Sequence, residues 1–232
     1  FINALNMMDG IDGLAGGCVV VMLSWIGVSA GLAGERDLVV ITAVFSAATA
    51  GFLFFNLRTP LRPRASVFLG DCGSLSLGLL IAWLAIEVVQ SPTRAVSALG
   101  IAWVLVLPVL DTVSLIIRRL LKGQNPLRAD RNHLHHLLER AGFSAGQSTL
   151  ILVGLSLGFG AVGVLGSASG VPDIVLGSGL VLIVAAHYLF VRYAWRSTRA
   201  RMRLRASGTA LRRRYRWARA GRYIETLALL LG

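Results

Sequence analysis

The chain has 232 residues, 55% of them hydrophobic, with a mean hydropathy of +0.70. Only 15% are charged, against about 25% in an ordinary soluble domain, which excludes a disordered chain and argues against a cytosolic globule. Lys and Arg number 23 against 11 Asp and Glu, and Lys122 is the one lysine.

The first element is polar. Asn3, Asn6, Asp9 and Asp12 recur every third residue. On a helix that spacing keeps near neighbours on one side, drifting slowly around it. Gly10 and Gly13 tighten or break the turn and let another group approach the backbone. Four oxygen-bearing side chains suit a hard cation such as Mg²⁺, or Mn²⁺. The competing reading is a cap on the helix that follows, which accounts for one of the four or two.

Apolar runs long enough to cross a bilayer then follow at about 14–34, 38–57, 75–90, 96–117, 148–167 and 174–194; the third is short and could extend back toward Val67, which would put Asp71 on it. Six such runs leave too little polar chain to cover them. The predicted fold class is therefore all-α, a polytopic transmembrane helix bundle. Cys18 and Cys72 sit in apolar or Gly-rich settings and read as reduced thiols.

Between the second and third runs lies Val67-Phe68-Leu69-Gly70-Asp71-Cys72-Gly73-Ser74. Asp71 or Ser74 could cap the third span; beside the first acidic cluster, Asp71 reads as a metal ligand. Asp111 lies on the fourth run, with six residues between it and Arg118-Arg119, where it is expected to pair with a neighbouring helix or to face the site. Next comes Asp130-Arg131-Asn132-His133-Leu134-His135-His136. His, Arg and Asn together can grip a phosphate or orient a sugar. The spacing also permits a Zn²⁺ site, but no Cys or further His lies nearby to complete it. His187, on the sixth run, reads as a packing residue.

Basic residues set the orientation. The loops at 58–74 and 118–147 and the chain after residue 191 hold 21 of the 23 bases, and Arg36 and Arg94 hold the other side. All four polar clusters therefore fall on the predicted cytoplasmic face. The Arg-rich stretch after residue 195 suits anionic lipid heads and lacks a nucleic-acid-binding module. A transporter is the alternative from another class, but the spans carry few charges, Glu87 and Asp111, where a carrier would place them at midplane.

The stretches Asn-Ala-Leu-Asn-Met-Met-Asp-Gly-Ile-Asp-Gly-Leu-Ala, Val-Phe-Leu-Gly-Asp-Cys-Gly-Ser and Asp-Arg-Asn-His-Leu-His-His-Leu-Leu resemble the polyprenyl-phosphate N-acetylhexosamine-1-phosphate transferases. The His-Leu-His-His stretch followed by Arg140-Ala-Gly-Phe-Ser144 favours the bacterial undecaprenyl-phosphate GlcNAc-1-phosphate branch over the muramoyl-pentapeptide branch, which has three consecutive His there. The resemblance covers residues 1 to about 195. It implies a transferase core over 1–195, an Arg-rich cytoplasmic tail over 196–232, and roughly five spans before Phe1. Those spans would carry the family's Asp-Asp-x-x-Asp motif, which no stretch here supplies. Cys72 stands where Ala, Thr or Val is usual.

The resemblance further implies Mg²⁺ ligation by Asn6 and Asp71 and a catalytic acidic pair in Asp9 and Asp12. Asn56 would read uracil and Phe68 would lie against the base. Asn3, Arg131, His133, His135 and His136 would bind the sugar and diphosphate. The implied reaction moves HexNAc-1-phosphate from a UDP-N-acetylhexosamine to undecaprenyl phosphate at the cytoplasmic face of a bacterial inner membrane, opening a lipid-linked surface-glycan pathway. The expected partners are those two substrates, the bilayer and a second copy of the chain in a homodimer, with no nucleic acid; an inactive fragment of such an enzyme is the remaining alternative.

Overall fold

A computed structural model describes residues 1–58, 62, 64–121, 123, 125 and 133–206, with side chains up to residue 193. Among them there is helix and no strand: α1 (Ile2–Met8), α2 (Leu14–Ala33), α3 (Arg36–Asn56), α4 (Gly70–Gln90), α5 (Ala98–Val104), α6 (Val106–Leu120), α7 (Leu134–Ala141), α8 (Ala145–Ala168) and α9 (Asp173–Ala206). Five helices, α2, α3, α4, α8 and residues 173–193 of α9, are long and apolar enough to cross a membrane, and the bent pair α5–α6 makes a sixth. The protein is an all-α, multi-pass bundle.

The centre of the bundle is α2. Cys18, Val19, Met22, Leu23 and Ile26 are fully buried along it, against α3, α4 and α8. A helix apolar on every side belongs in an interior, and the absence of charge between Leu14 and Ala33 places it there. By contrast α3 and α4 leave Val40, Val44, Phe45, Leu79 and Ile86 exposed, as lipid-facing helices do. Cys18 and Cys72 are both free thiols.

The fourth apolar run, expected as one span over 96–117, is broken. Its halves meet at Leu105 and bend by 78°. Pro108 supplies the reason: it has no N–H to give the carbonyl of Val104, and its ring crowds that carbonyl. The proline sits in the first turn of α6, where a missing donor is tolerated. Beyond the bend α6 packs against α1, α8 and α9, and Asp111 on it is 6% exposed.

The third span takes the extension toward Val67: it begins at Gly70, which places Asp71 in its first turn, where a carboxylate meets the positive end of the helix dipole. One other boundary differs. The sixth does not end near residue 194, because α9 runs on to Ala206. At 1.5 Å per residue its 34 residues extend about 51 Å, well beyond the hydrocarbon thickness of about 30 Å. Residues 207–232, the rest of the Arg-rich stretch, lie outside the described residues.

Candidate active site

Polar side chains gather where the α1–α2 loop, the start of α4 and the start of α7 meet. The Asn/Asp series does not lie on one helix, because α1 ends at Met8 and Asp9 is its C-terminal cap residue. Gly13 then turns the chain with φ +80°, a left-handed conformation that favours glycine. The capping alternative fails at both helices. The residue preceding α2 is Gly13, and neither α2 nor α4 has a side-chain cap.

The remaining polar groups bind across the sequence. The amide nitrogen of Asn6 donates to Asp71 Oδ1 at 2.9 Å and to Ser74 Oγ at 2.8 Å. Ser74 is fully buried and donates its own hydroxyl to the Gly70 carbonyl at 3.0 Å. This joins the two motifs at residues 65 apart. Asp9 lies beside them and accepts the Gly70 backbone N–H. Burial pushes the Asp9 carboxyl above the usual carboxylate range; the Gly70 hydrogen bond opposes this, and the charges of Asp71 and Asp12 add to it.

Asp12 is more heavily engaged. Its Oδ2 accepts Arg58 Nε at 2.6 Å and Ala65 N at 3.3 Å, and its backbone carbonyl accepts Thr149 Oγ1 at 3.1 Å. The two acidic residues of this loop therefore stand in different environments: Asp9 beside other carboxylates, Asp12 paired with a guanidinium.

Asn56, which the resemblance assigns to uracil, is held by backbone groups. It is 6% exposed. Its Oδ1 accepts Gly13 N at 2.7 Å, and its Nδ2 donates to the Val67 carbonyl at 2.8 Å. Donor and acceptor are both engaged by backbone, so in this structure Asn56 ties the α1–α2 loop to the segment before α4. Arg62 supports the same segment, donating to the Phe54 carbonyl and lying over the rings of Phe54 and Phe55. Phe68 is 78% exposed, and Asn3 is exposed on α1.

Three of the motif's histidines are described; Asp130, Arg131 and Asn132 lie outside the described residues. His133 Nδ1 donates to Asp111 Oδ2 at 2.9 Å, and Leu134 N donates to Asp111 Oδ1 at 2.9 Å. The pairing expected of Asp111 is thus with the His motif itself. His135 stacks parallel to His133, ring centroids 5.8 Å apart, and lies 4.2 Å from the His136 ring. His136 faces Glu139 at 3.4 Å. His135 is 2% exposed, and neither of its ring nitrogens has a partner among the described residues. Burial, with the neighbouring His136 and His133, lowers its pKa to about 4 against the pull of Asp111, so the ring is neutral at pH 7. His187 Nε2 is likewise buried without a partner among the described residues.

The His135 ring lies against Gly10. A Cβ at Gly10 would overlap it, so the acidic loop and the His motif touch only because residue 10 has no side chain. Gly10→Ala should cost about 1–3 kcal/mol, the usual penalty for overpacking, read as a lowered unfolding temperature in detergent. An unchanged temperature would show that the two loops are not packed together.

Among the described residues no three His, Cys, Asp or Glu side chains converge as a metal cluster. The donors that do gather are oxygens: the Asp71 carboxylate, the Asn6 amide beside it, and Asp9. Mg²⁺ is commonly held by one or two carboxylates, with water and substrate phosphates completing its shell. By donor chemistry these residues fit such an ion.

Arg58, Ser74 and Thr149 are participants that sequence reasoning missed. Arg58 and Thr149 meet Asp12 only through tertiary packing. Ser74 carried a local signal, lying three residues after Asp71, but it pointed to a cap.

Residues 1–89 match the model of glycosyl transferase family 4. The chain is 36% identical over 202 residues to the undecaprenyl-phosphate alpha-N-acetylglucosaminyl 1-phosphate transferase of Escherichia coli (strain K12), covering 85% of this chain and 54% of that protein. The protein of the same name from Salmonella typhi is 35% identical over the same shares. That of Haemophilus influenzae is 32% identical over 193 residues, 82% of this chain and 54% of the relative. The chain spans about half the length of these curated relatives.

Proposed function

We propose that this protein transfers GlcNAc-1-phosphate from UDP-GlcNAc to undecaprenyl phosphate, because residues 1–89 match the model of glycosyl transferase family 4 and relatives that align over most of the chain share one named activity. The observation that carries the proposal is the Asn6–Asp71 hydrogen bond with Asp9 beside it. It unites the two acidic motifs at one end of the bundle, and the His motif packs on the same loop through Gly10. The excess of bases on that end supports the cytoplasmic face of the membrane, where a nucleotide sugar is at hand and a lipid phosphate presents its head.

In the reaction, an oxygen of the lipid phosphate attacks the sugar-bearing phosphorus of the UDP-sugar. The bond from that phosphorus to the UMP oxygen breaks, and UMP leaves with its electron pair. Anion approaches anion, so charge must be offset. Asn6 and Asp71 would hold Mg²⁺, which when bound neutralises the diphosphate and the leaving group. Asp9 presents a carboxylate that pairs with no Arg or Lys among the described residues, whereas Asp12, paired with Arg58, shapes the loop. His133, His135 and His136 would offer ring nitrogens to the diphosphate and sugar, Phe68 offers an exposed ring to the base, and Asn3, with Arg131 by the resemblance alone, would bind the substrate. One phosphoanhydride replaces another, so the transfer is close to balanced and reversible.

The test uses the intact protein in membrane vesicles supplied with undecaprenyl phosphate and radiolabelled UDP-GlcNAc. Label should enter the organic phase with inverted vesicles, not with sealed right-side-out ones, and chelation of divalent cations should stop it. Incorporation from the outer face alone, or a rate indifferent to chelation, would contradict the site. Parallel reactions with other UDP-N-acetylhexosamines establish the sugar.

A further inference from the structure

We infer that Asp111 is a positioning residue for the proposed transfer, fixing His133 with one carboxylate oxygen and the first turn of α7 with the other. The inference rests on the transferase reading above but concerns a residue on another helix.

Three observations place Asp111 in that role. First, α7 begins without a side-chain cap of its own: His133 is its N-cap residue, and its side chain caps nothing. The N–H of Leu134 is an orphan donor of the kind every helix start leaves. Asp111, 23 residues away on α6, accepts it at 2.9 Å. Second, the other oxygen accepts His133 Nδ1–H at 2.9 Å. With Nδ1 committed, Nε2 is the one ring nitrogen left for substrate, because the partner of one nitrogen sets the role of the other. Third, the rings continue inward. His133 stacks on His135 at an interplanar angle of 3°, and His135 bears on Gly10 of the acidic loop. One buried carboxylate thus sets the direction of the cluster that bears on the acidic loop at Gly10. The bend at Leu105 is what carries α6 and its carboxylate to that place.

A carboxylate that merely held the fold would show the same distances, so the test must separate the two roles. Asp111→Asn keeps the shape and an oxygen for Leu134 N–H. It turns an NH₂ toward His133 Nδ1, which must then accept, moving the ring proton to Nε2. In the intact protein, kcat should fall about 10²-fold or more, the scale expected when a reacting group is misplaced or carries the wrong tautomer. KM for undecaprenyl phosphate and the unfolding temperature should stay near their wild-type values. In a His133→Ala background, the same substitution should change the residual rate by about twofold or less, since residues that act as one unit are not additive. Should Asp111→Asn fail to accumulate in membranes, Asp111→Glu, which displaces the carboxylate by one methylene, enters the same cycle with the same outcomes.

Wild-type kcat in Asp111→Asn overturns the inference. So does an equal fold-loss in both backgrounds, which would make Asp111 a structural staple. Absence of any lipid-linked product from the wild-type protein would instead overturn the transferase reading, and the inference with it.

Discussion

Asp71→Asn should lower the transfer rate by about 10²–10³-fold, the cost of removing one group that offsets charge in a transition state, in a protein that still accumulates and folds. The separation of the two effects follows from where Asp71 sits. It is exposed, in the first turn of α4, so its contribution to stability is the helix-dipole term of about 0.3–1 kcal/mol. Asn can still accept the Asn6 amide at the same place. What disappears is the negative charge beside Asn6 and Asp9. Initial rates with saturating Mg²⁺, set beside unfolding temperature, check this. Undiminished activity in Asp71→Asn would remove the metal from this residue.

Asn56→Ala should destabilise the protein by about 1–4 kcal/mol. Two backbone groups, the buried Gly13 N–H and the part-buried Val67 carbonyl, would lose their partners; an unsatisfied buried group costs about 1–3 kcal/mol, and one that water can reach costs less. The loss should spread into function, because the same amide holds the loop that ends with Asp12 and the segment that presents Phe68. Thermal unfolding in detergent and the kinetics of both substrates distinguish the scaffold role from base reading. A wild-type unfolding temperature with only KM for the UDP-sugar raised would show that Asn56 reads the base, as the resemblance implied.

What could be read in the sequence follows a physical line. The spans were legible because membrane burial imposes a length and an apolar composition that any window along the chain reveals. The break at Leu105 was less so: Pro108 stands in the open, but a proline can kink, end or begin a helix, and neighbouring packing decides which. The Asn/Asp series was legible as a cluster but not as a shape, since period three suggested helix while Gly10 and Gly13 ended it. The cap of α8 was legible and went unread: Ser144 and Gln147 form a complete capping box, the Ser-x-x-Gln signature.

The pairings within the site were not legible. Asp12 with Arg58, Asn56 with Gly13, and Asp111 with His133 lie 46, 43 and 22 residues apart, and no local pattern distinguishes them from unpaired polar residues. The sequence listed Asp9 and Asp12 as equivalents. The fold separates them by giving one a guanidinium and the other more carboxylates.

The central claim is that a sugar-phosphate, not a sugar, moves to the lipid. UDP-GlcNAc radiolabelled at the β-phosphate, beside the sugar, tests it in one reaction with undecaprenyl phosphate and Mg²⁺. The account predicts that the label passes into the lipid fraction in step with the sugar and that unlabelled UMP is released in equal amount. Label that stays with the nucleotide as UDP while the sugar alone reaches the lipid would contradict it.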